Sequence, residues 1–429
     1  MYVTGRLPLL VALGAVPTVL LSIAGIEPWA TVLGWIALCT LLTAGDVLVA
    51  PGPDALTIRR SGPGKSLTAR RVDVALTVVN PTRRTVRARV RDLWQPTAGA
   101  DPDRAEVYLA AGEAAEVPVS LLPRRRGALR SAGIAVRTSG PLGLAGRSAV
   151  LAVPGTLRVL PPFDSRRHLP ARLSRLRELD GNTSVQVRGQ GTEFDSLREY
   201  VRGDDVRSID WRATARASAT MLRTWRPERD RHIIVVIDTG RTAAVRIGDG
   251  TRLDAAIEAA LLLSALASAA GDHVHVLMFD RAVRARVTGR EGSALMPTLV
   301  DAMVGVEAQL IDTDWDAAFG QARRLSTRAA MVVVLTTQDS PETARGFLGA
   351  LPLLPSSAQI VVASAGTDLD VGTTADPFRA AANERTHLDG ERIASALARA
   401  GVDVISATAD DLAPRLADRY LALKSLGRL

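Results

Sequence analysis

Two apolar runs open the chain with only a Glu27-Pro28 step between them, and they limit what the rest can fold into. Leu7 to Ile26 is apolar apart from Thr18 and Ser22, and Trp29 to Val49 carries one charge, Asp46. A helix of about 20 residues crosses a hydrocarbon core of about 30 Å, so each run is long enough to span. A cleavable signal peptide has a shorter apolar stretch and a small-residue cleavage site; here a second apolar run follows instead. The expectation is a transmembrane helical hairpin over residues 1–50. Arg6 precedes the first run, Arg59, Arg60, Lys65, Arg70 and Arg71 follow the second, and the turn holds no basic residue. The positive-inside rule then predicts a two-pass cell-membrane protein with both termini in the cytoplasm. The single cysteine, Cys39, lies in the second run, so no intrachain disulfide forms, which suits a cytosolic body.

Charge is unevenly placed. Residues 51–160 hold 18 Lys+Arg against 8 Asp+Glu, whereas residues 161–429 hold 34 against 35. The surplus sits next to the membrane, where anionic lipid headgroups attract each well-placed basic residue by about 1 kcal/mol. Aromatic residues are only 4% of the chain, and no nucleic-acid-binding motif accompanies the basic segment, so nucleic acid is not an expected partner.

Residues 51–160 read as an all-β domain. Val72, Val74, Leu76 and Val78 alternate with Asp73, Ala75 and Thr77, and Val86, Ala88 and Val90 alternate with Arg87, Arg89 and Arg91. Further short runs at 105–110, 115–122, 132–138 and 148–152 are separated by turn residues, a pattern that predicts an immunoglobulin-like sandwich. Residues 161–230 read as a linker, with one helix over 171–179, followed by a charged collar. From residue 231 to 429, apolar runs at 233–237, 273–279, 330–336, 359–363 and 402–405 alternate with helical patterns. That alternation predicts an α/β domain with a doubly wound parallel sheet.

The collar, residues 191–225, packs charges of both signs around Leu197, Tyr200, Ile209 and Trp211. Phe194, Leu197-Arg198-Glu199-Tyr200, Gly203-Asp204-Asp205, Arg207, Ile209-Asp210-Trp211, Ala215-Arg216 and the strand-ending Asp238 together resemble the signature of the bacterial family catalogued as domain of unknown function 58. Pro123 to Gly127 and Gly140 to Leu144 resemble that family's Arg-Gly and Pro-(Phe/Leu)-Gly-Leu landmarks, which also read as plain turn chemistry. The resemblance implies a von Willebrand A-like domain and often an N-terminal membrane hairpin. It also implies work alongside a MoxR-type AAA+ ATPase, with the von Willebrand A-like domain as the adaptor arm.

A von Willebrand A-type metal site would place Asp-x-Ser-x-Ser after the first strand. Here Asp238 and Thr242 keep two of those positions, and Gly240 stands where the first serine belongs. The resemblance makes Thr313 and Asp339 the remaining candidate ligands for Mg²⁺ or Mn²⁺, hard cations that suit such oxygens. The other reading is a degenerate loop held by hydrogen bonds. The collar residues Arg198, Tyr200, Gly203, Asp204, Asp205, Arg207, Asp210, Trp211 and Arg216 read as a buried ion-pair network, with Asp204 or Asp205 capping a helix through Val206, Ile209 and Ala213. A partner-docking surface is the second reading, and no nucleophile or poised base points to catalysis.

Asp238-Thr239-Gly240 matches the aspartic-protease tripeptide but occurs once, and those enzymes need two such aspartates. The five histidines show no zinc or triad spacing, with His273 and His275 expected on one face of a strand. The expected function is therefore a non-enzymatic, membrane-anchored cytosolic scaffold or adaptor. A cell-envelope enzyme, or an organiser of cell-wall synthesis without an ATPase, is the alternative.

Overall fold

The computed structural model describes residues 1–186, 193–201, 204–217, 219–226, 231–366 and 377–429; Gly203 of the collar lies outside them. The chain divides into two compact units, Met1–Leu160 and Pro161–Leu429.

In the first unit, two N-terminal helical segments, beginning at Arg6 and at Pro28, are long and apolar enough to cross a membrane. The first is not continuous. It breaks at Gly14 into Arg6–Leu13 and Ala15–Ile23. The Gly14 amide donates to the Val11 carbonyl at 3.0 Å, and the Trp35 indole nitrogen donates to the Leu10 carbonyl at 3.1 Å. An orphaned backbone group in apolar surroundings is costly, and the indole satisfies the carbonyl that the break frees. A Cβ on Gly14 would overlap that indole.

The β-rich part forms two sheets, one of seven strands and one of four, paired antiparallel except where Gly155–Leu160 runs parallel to Lys65–Leu67. The expected alternation holds. Along Val86–Trp94 the valines and Ala88 are buried while Arg87, Arg89 and Arg91 are exposed. Val74, Leu76 and Val78 from one sheet share a core with Val86, Val90 and Val136 from the other. Tyr2–Val3, just before the first apolar helix, pairs with Ala145–Leu151 as an edge strand, which periodicity could not show in two residues. The Gly140-to-Leu144 turn wraps the Asp46 carboxylate, which accepts from the amides of Leu142 and Leu144 at 2.8 Å and of Ala145 at 2.9 Å. This landmark is therefore more than a turn: its amides face a carboxylate of the second apolar helix.

The second unit is mixed α/β. Strands His232–Asp238, His273–Phe279, Ala329–Leu335, Gln359–Ala365 and Asp403–Ala407 are parallel, and Val283–Val287, which the apolar pattern did not reveal, adds antiparallel at one edge. Helices Arg252–Ala269, Leu295–Met303 and Ala409–Ser425 pack on one face. Trp315–Leu325, Pro341–Ala350 and the end of Pro377–Arg399 pack on the other. The helix expected over 171–179 in the linker is present and longer, Leu169–Gln186, and Leu176 is buried in the core with Leu169, Leu173 and Leu179 packed against it. Its four leucines fall on one helical face, so burying them outweighs leaving the segment extended.

Candidate functional site: a hydroxyl-caged carboxylate and an exposed collar

Asp238 ends the strand His232–Asp238, beyond which loops gather at the carboxyl edge of the parallel sheet. Its side chain is buried, and every partner is a neutral donor. Thr313 Oγ1 donates to Oδ1 at 2.5 Å and the Gly240 amide at 2.8 Å; Thr336 Oγ1 donates to Oδ2 at 2.6 Å and Thr242 Oγ1 at 3.2 Å. Thr242 and Thr313 thus stand with Asp238, as hydrogen-bond donors to its carboxylate. Thr336 was missed, although its position directly after the strand Ala329–Leu335 puts it on the same edge.

Asp339 does not join them. It forms an ion pair with the buried Arg252 at 2.6 Å. The helix Arg252–Ala269 brings this guanidinium beneath the loops, and it takes the carboxylate that a cation would need. At Gly240 a Cβ would overlap Thr313 Oγ1 and stand 2.9 Å from the Ile311 carbonyl oxygen. The hydroxyl of Thr313 thus fills the space a serine at 240 would require. One carboxylate saturated by hydrogen bonds, next to a buried guanidinium, does not fit a divalent cation, and among the described residues no group of three acidic, histidine or cysteine side chains is placed to hold one.

A cleft of 410 Å³ lies beside Asp238, lined by Arg241, Thr313, Gln338 and Glu342 among others. Arg241 is ion-paired with Asp312, whose hydrogen bond raises the guanidinium's pKa. Asp280, fully buried at the end of the neighbouring strand, accepts from Thr239 Oγ1 at 3.0 Å, the Arg281 amide at 2.6 Å and Arg284 at 2.6 Å. Burial pushes its carboxyl up, but the Arg284 guanidinium, the amides and the hydroxyl together hold it below the ordinary carboxylate value. Asp314 caps the helix Trp315–Leu325 through the Ala317 amide at 2.9 Å. Asp238, Asp280, Asp312, Asp314 and Asp339 are thus each held by a structural partner.

The collar departs from expectation. It is a two-stranded antiparallel ribbon, Glu193–Glu199 with Met221–Arg226, and among the described residues these strands join no larger sheet. The helix expected through Val206, Ile209 and Ala213 is two short pieces instead. Asp205 caps Val206–Ser208, Ile209 bridges to Leu222, and Asp210 caps Trp211–Thr214. Arg207 and Asp210 do not pair. The Asp210 carboxylate is turned to the Arg212 and Ala213 amides and to Arg223 at 2.7 Å, while Arg198 pairs with Asp204 at 2.7 Å. The Ala213 amide first, and then Arg223, lowers the Asp210 pKa.

Nor is Trp211 buried. It is 70% exposed, with Val201 at 62% and Val206 at 60%. Arg207 and Arg216 are exposed and Tyr200 is half-buried. A four-residue helix cannot cover an indole, and among the described residues no other element does.

Three histidines also converge, at the opposite edge of the sheet. His232 Nδ1 and His275 Nε2 are 2.9 Å apart, and His273 Nδ1 is 2.9 Å from Glu291. Burial, and then the neighbouring His232 and His273, lower the His275 pKa. Sequence spacing hid His232, because the parallel register places it opposite His273.

Residues 196–361 match the family described as Protein of unknown function DUF58. Uncharacterized proteins of Mycobacterium bovis and Mycobacterium tuberculosis are each 28% identical over 165 residues, covering 37% of this chain. The chain spans about half the length of these curated relatives, 50% in each. Among solved structures, the CARDB domain of the PF1109 protein from Pyrococcus furiosus is similar at 15% identity, covering 27% of this chain and 92% of that one, with a TM-score of 0.20. A FixG-related protein from Vibrio parahaemolyticus is similar at 13% identity over 25% of this chain and 97% of its own, with a TM-score of 0.17. Likenesses at those scores bear on neither fold nor function.

Proposed function

We propose that this chain is a membrane-anchored cytosolic adaptor that docks a protein partner through its collar, and that the partner is a MoxR-type AAA+ ATPase. The observation that carries the reading is the exposure of the Trp211 indole, and of Val201 and Val206, in the segment that joins the two strands of an ion-paired ribbon. Water-exposed aromatic and aliphatic side chains on a stiff support are what protein interfaces use as anchors. The ion pairs fix the shape, and the apolar side chains supply the contact area. The parallel sheet with helices on both faces supports reading the second unit as von Willebrand A-like. The basic residues flanking the two apolar helices support a hairpin with both termini in the cytoplasm.

An enzyme acting near the cell envelope would need a base or nucleophile free to react. At the carboxyl edge of the sheet, Asp238 and Asp280 are instead saturated by hydroxyls, amides and Arg284, which favours the adaptor. Metal dependence is likewise disfavoured by the Arg252–Asp339 pair.

The test is capture of a purified MoxR-type ATPase by the detergent-solubilised full chain. Trp211→Ser is expected to reduce capture at least tenfold while leaving the melting temperature unchanged. Undiminished capture removes the collar as the docking surface. Failure of the native chain to capture the ATPase removes the partnership and leaves the reading of a cell-wall organiser.

A further inference from the structure

The first unit contains a cleft of 820 Å³ where the apolar helices meet the seven-stranded sheet. Its lining includes Thr4, Gly5 and Arg6, directly before the first apolar helix, and Val49 and Pro51, directly after the second. A cleft bounded by the ends of two spans lies at headgroup depth in a bilayer. Its walls are basic: Arg6, Arg84, Arg87, Arg89 and Arg137 line it, against the single carboxylate of Glu106.

That carboxylate does not neutralise the cleft. Glu106 takes both Arg87, at 3.4 Å, and Arg89. Arg89 stands directly opposite Arg137 across the strand pair. Like charges in directly opposed positions destabilise a sheet, so such a pair is easier to understand if an anion lies over it. Arg137 also stacks on the ring of Tyr2, another lining residue, 5.3 Å from its centroid. All five guanidinium side chains are exposed. Arginine's planar fork of donors matches phosphate oxygens two at a time, and a cleft of this size suits a headgroup better than a single inorganic ion.

We infer that this cleft binds the phosphate-bearing headgroup of an anionic phospholipid in the leaflet that faces the first unit. The inference rests on the two apolar helices spanning the membrane. It goes beyond general attraction of a basic segment to a charged surface, because it assigns one site with named walls.

The experiment is native mass spectrometry of the full chain in neutral detergent, titrated with phosphatidylglycerol or with phosphatidylcholine. The expected result is retained phosphatidylglycerol at concentrations where phosphatidylcholine is lost. Arg87→Gln with Arg137→Gln should weaken retention about tenfold or more, since each well-placed basic residue contributes to headgroup attraction. Arg59→Gln with Arg71→Gln, which removes equal charge outside the cleft, should leave retention unchanged. Equal losses in the two double variants would reduce the effect to diffuse attraction and overturn the site. Inorganic phosphate that displaces the lipid at comparable concentration would make it a soluble-anion site and overturn the lipid assignment. A chain that stays in solution without detergent would sink the spanning reading itself, an outcome separate from loss of lipid preference in a chain that needs detergent.

Discussion

Asp46 and Gly140 are fitted to each other: a Cβ on Gly140 would overlap the Asp46 carboxylate. The one charged residue of the second apolar run is thereby buried against the turn that follows the strand Gly127–Ser139. Three backbone amides, those of Leu142, Leu144 and Ala145, supply what water would otherwise supply to the carboxylate. The same junction is tied by Arg147 Nε donating to the Val47 carbonyl at 3.1 Å and Thr138 Oγ1 donating to the Pro51 carbonyl at 2.6 Å. The second apolar helix is so joined to the sheet beside it by side-chain and backbone bonds, not by chain continuity alone.

Removing either partner should loosen this junction. Asp46→Ala leaves three amides without their acceptor, and a buried unsatisfied donor costs about 1–3 kcal/mol. The full chain in detergent should melt several degrees lower. Gly140→Ala should do the same by steric overlap. An unchanged melting temperature in both would mean that the junction bears no stability.

Gly240 offers a test of the hydroxyl cage. Gly240→Ser should lower the melting temperature of residues 161–429, because Thr313 already occupies the space. Thr313→Val should also destabilise, by removing a donor to a buried carboxylate. Calorimetry with millimolar Mg²⁺ or Mn²⁺ should show no binding to the native sequence. A heat signal abolished by Asp238→Ala would establish a metal site and overturn the hydrogen-bonded reading.

Two neighbouring collar residues should behave differently. Arg207→Ala should leave the melting temperature of residues 161–429 where it was, because its side chain is exposed and unpaired with Asp210. Asp210→Ala should lower it, because two capping bonds and the Arg223 pair are lost together. The reverse order would restore a buried Arg207.

Acid should destabilise the second unit in two steps. His275 is held below its ordinary pKa, so near pH 6.5 and just below it the unfolded chain binds more protons than the folded one, and stability falls as pH falls through that range. Asp280 is also lowered, so its contribution is present above the unfolded carboxylate value near 4 and is lost at lower pH. His275→Gln should flatten the upper step of a melting-temperature profile, and Asp280→Asn the lower. A profile unchanged by either substitution would separate acid lability from these two groups.

Much of this protein was legible one residue at a time. The lengths of the apolar runs, the two-residue alternation of Val86 to Val90 and the apolar strand from Ile233 to Ile237 name their elements, because backbone hydrogen bonding and side-chain period are local properties. Asp238 at the end of its strand was legible for the same reason, whereas Thr242 and Thr313 were singled out only through the family resemblance.

The rest of what closes around that carboxylate was not legible. Thr336 reaches Asp238 across 98 positions of chain, and only the parallel order of the strands brings the two edges together. Arg252 draws Asp339 away because a helix carries its guanidinium beneath the loops. Trp211 is exposed although its surroundings in sequence resemble a buried network: Asp210 has a choice of partners three and thirteen residues away, and takes the farther one across the ribbon. Local pattern states which side chains prefer to be buried or paired. Which of them achieve it depends on what the rest of the chain brings within reach, and that is decided only in the folded state.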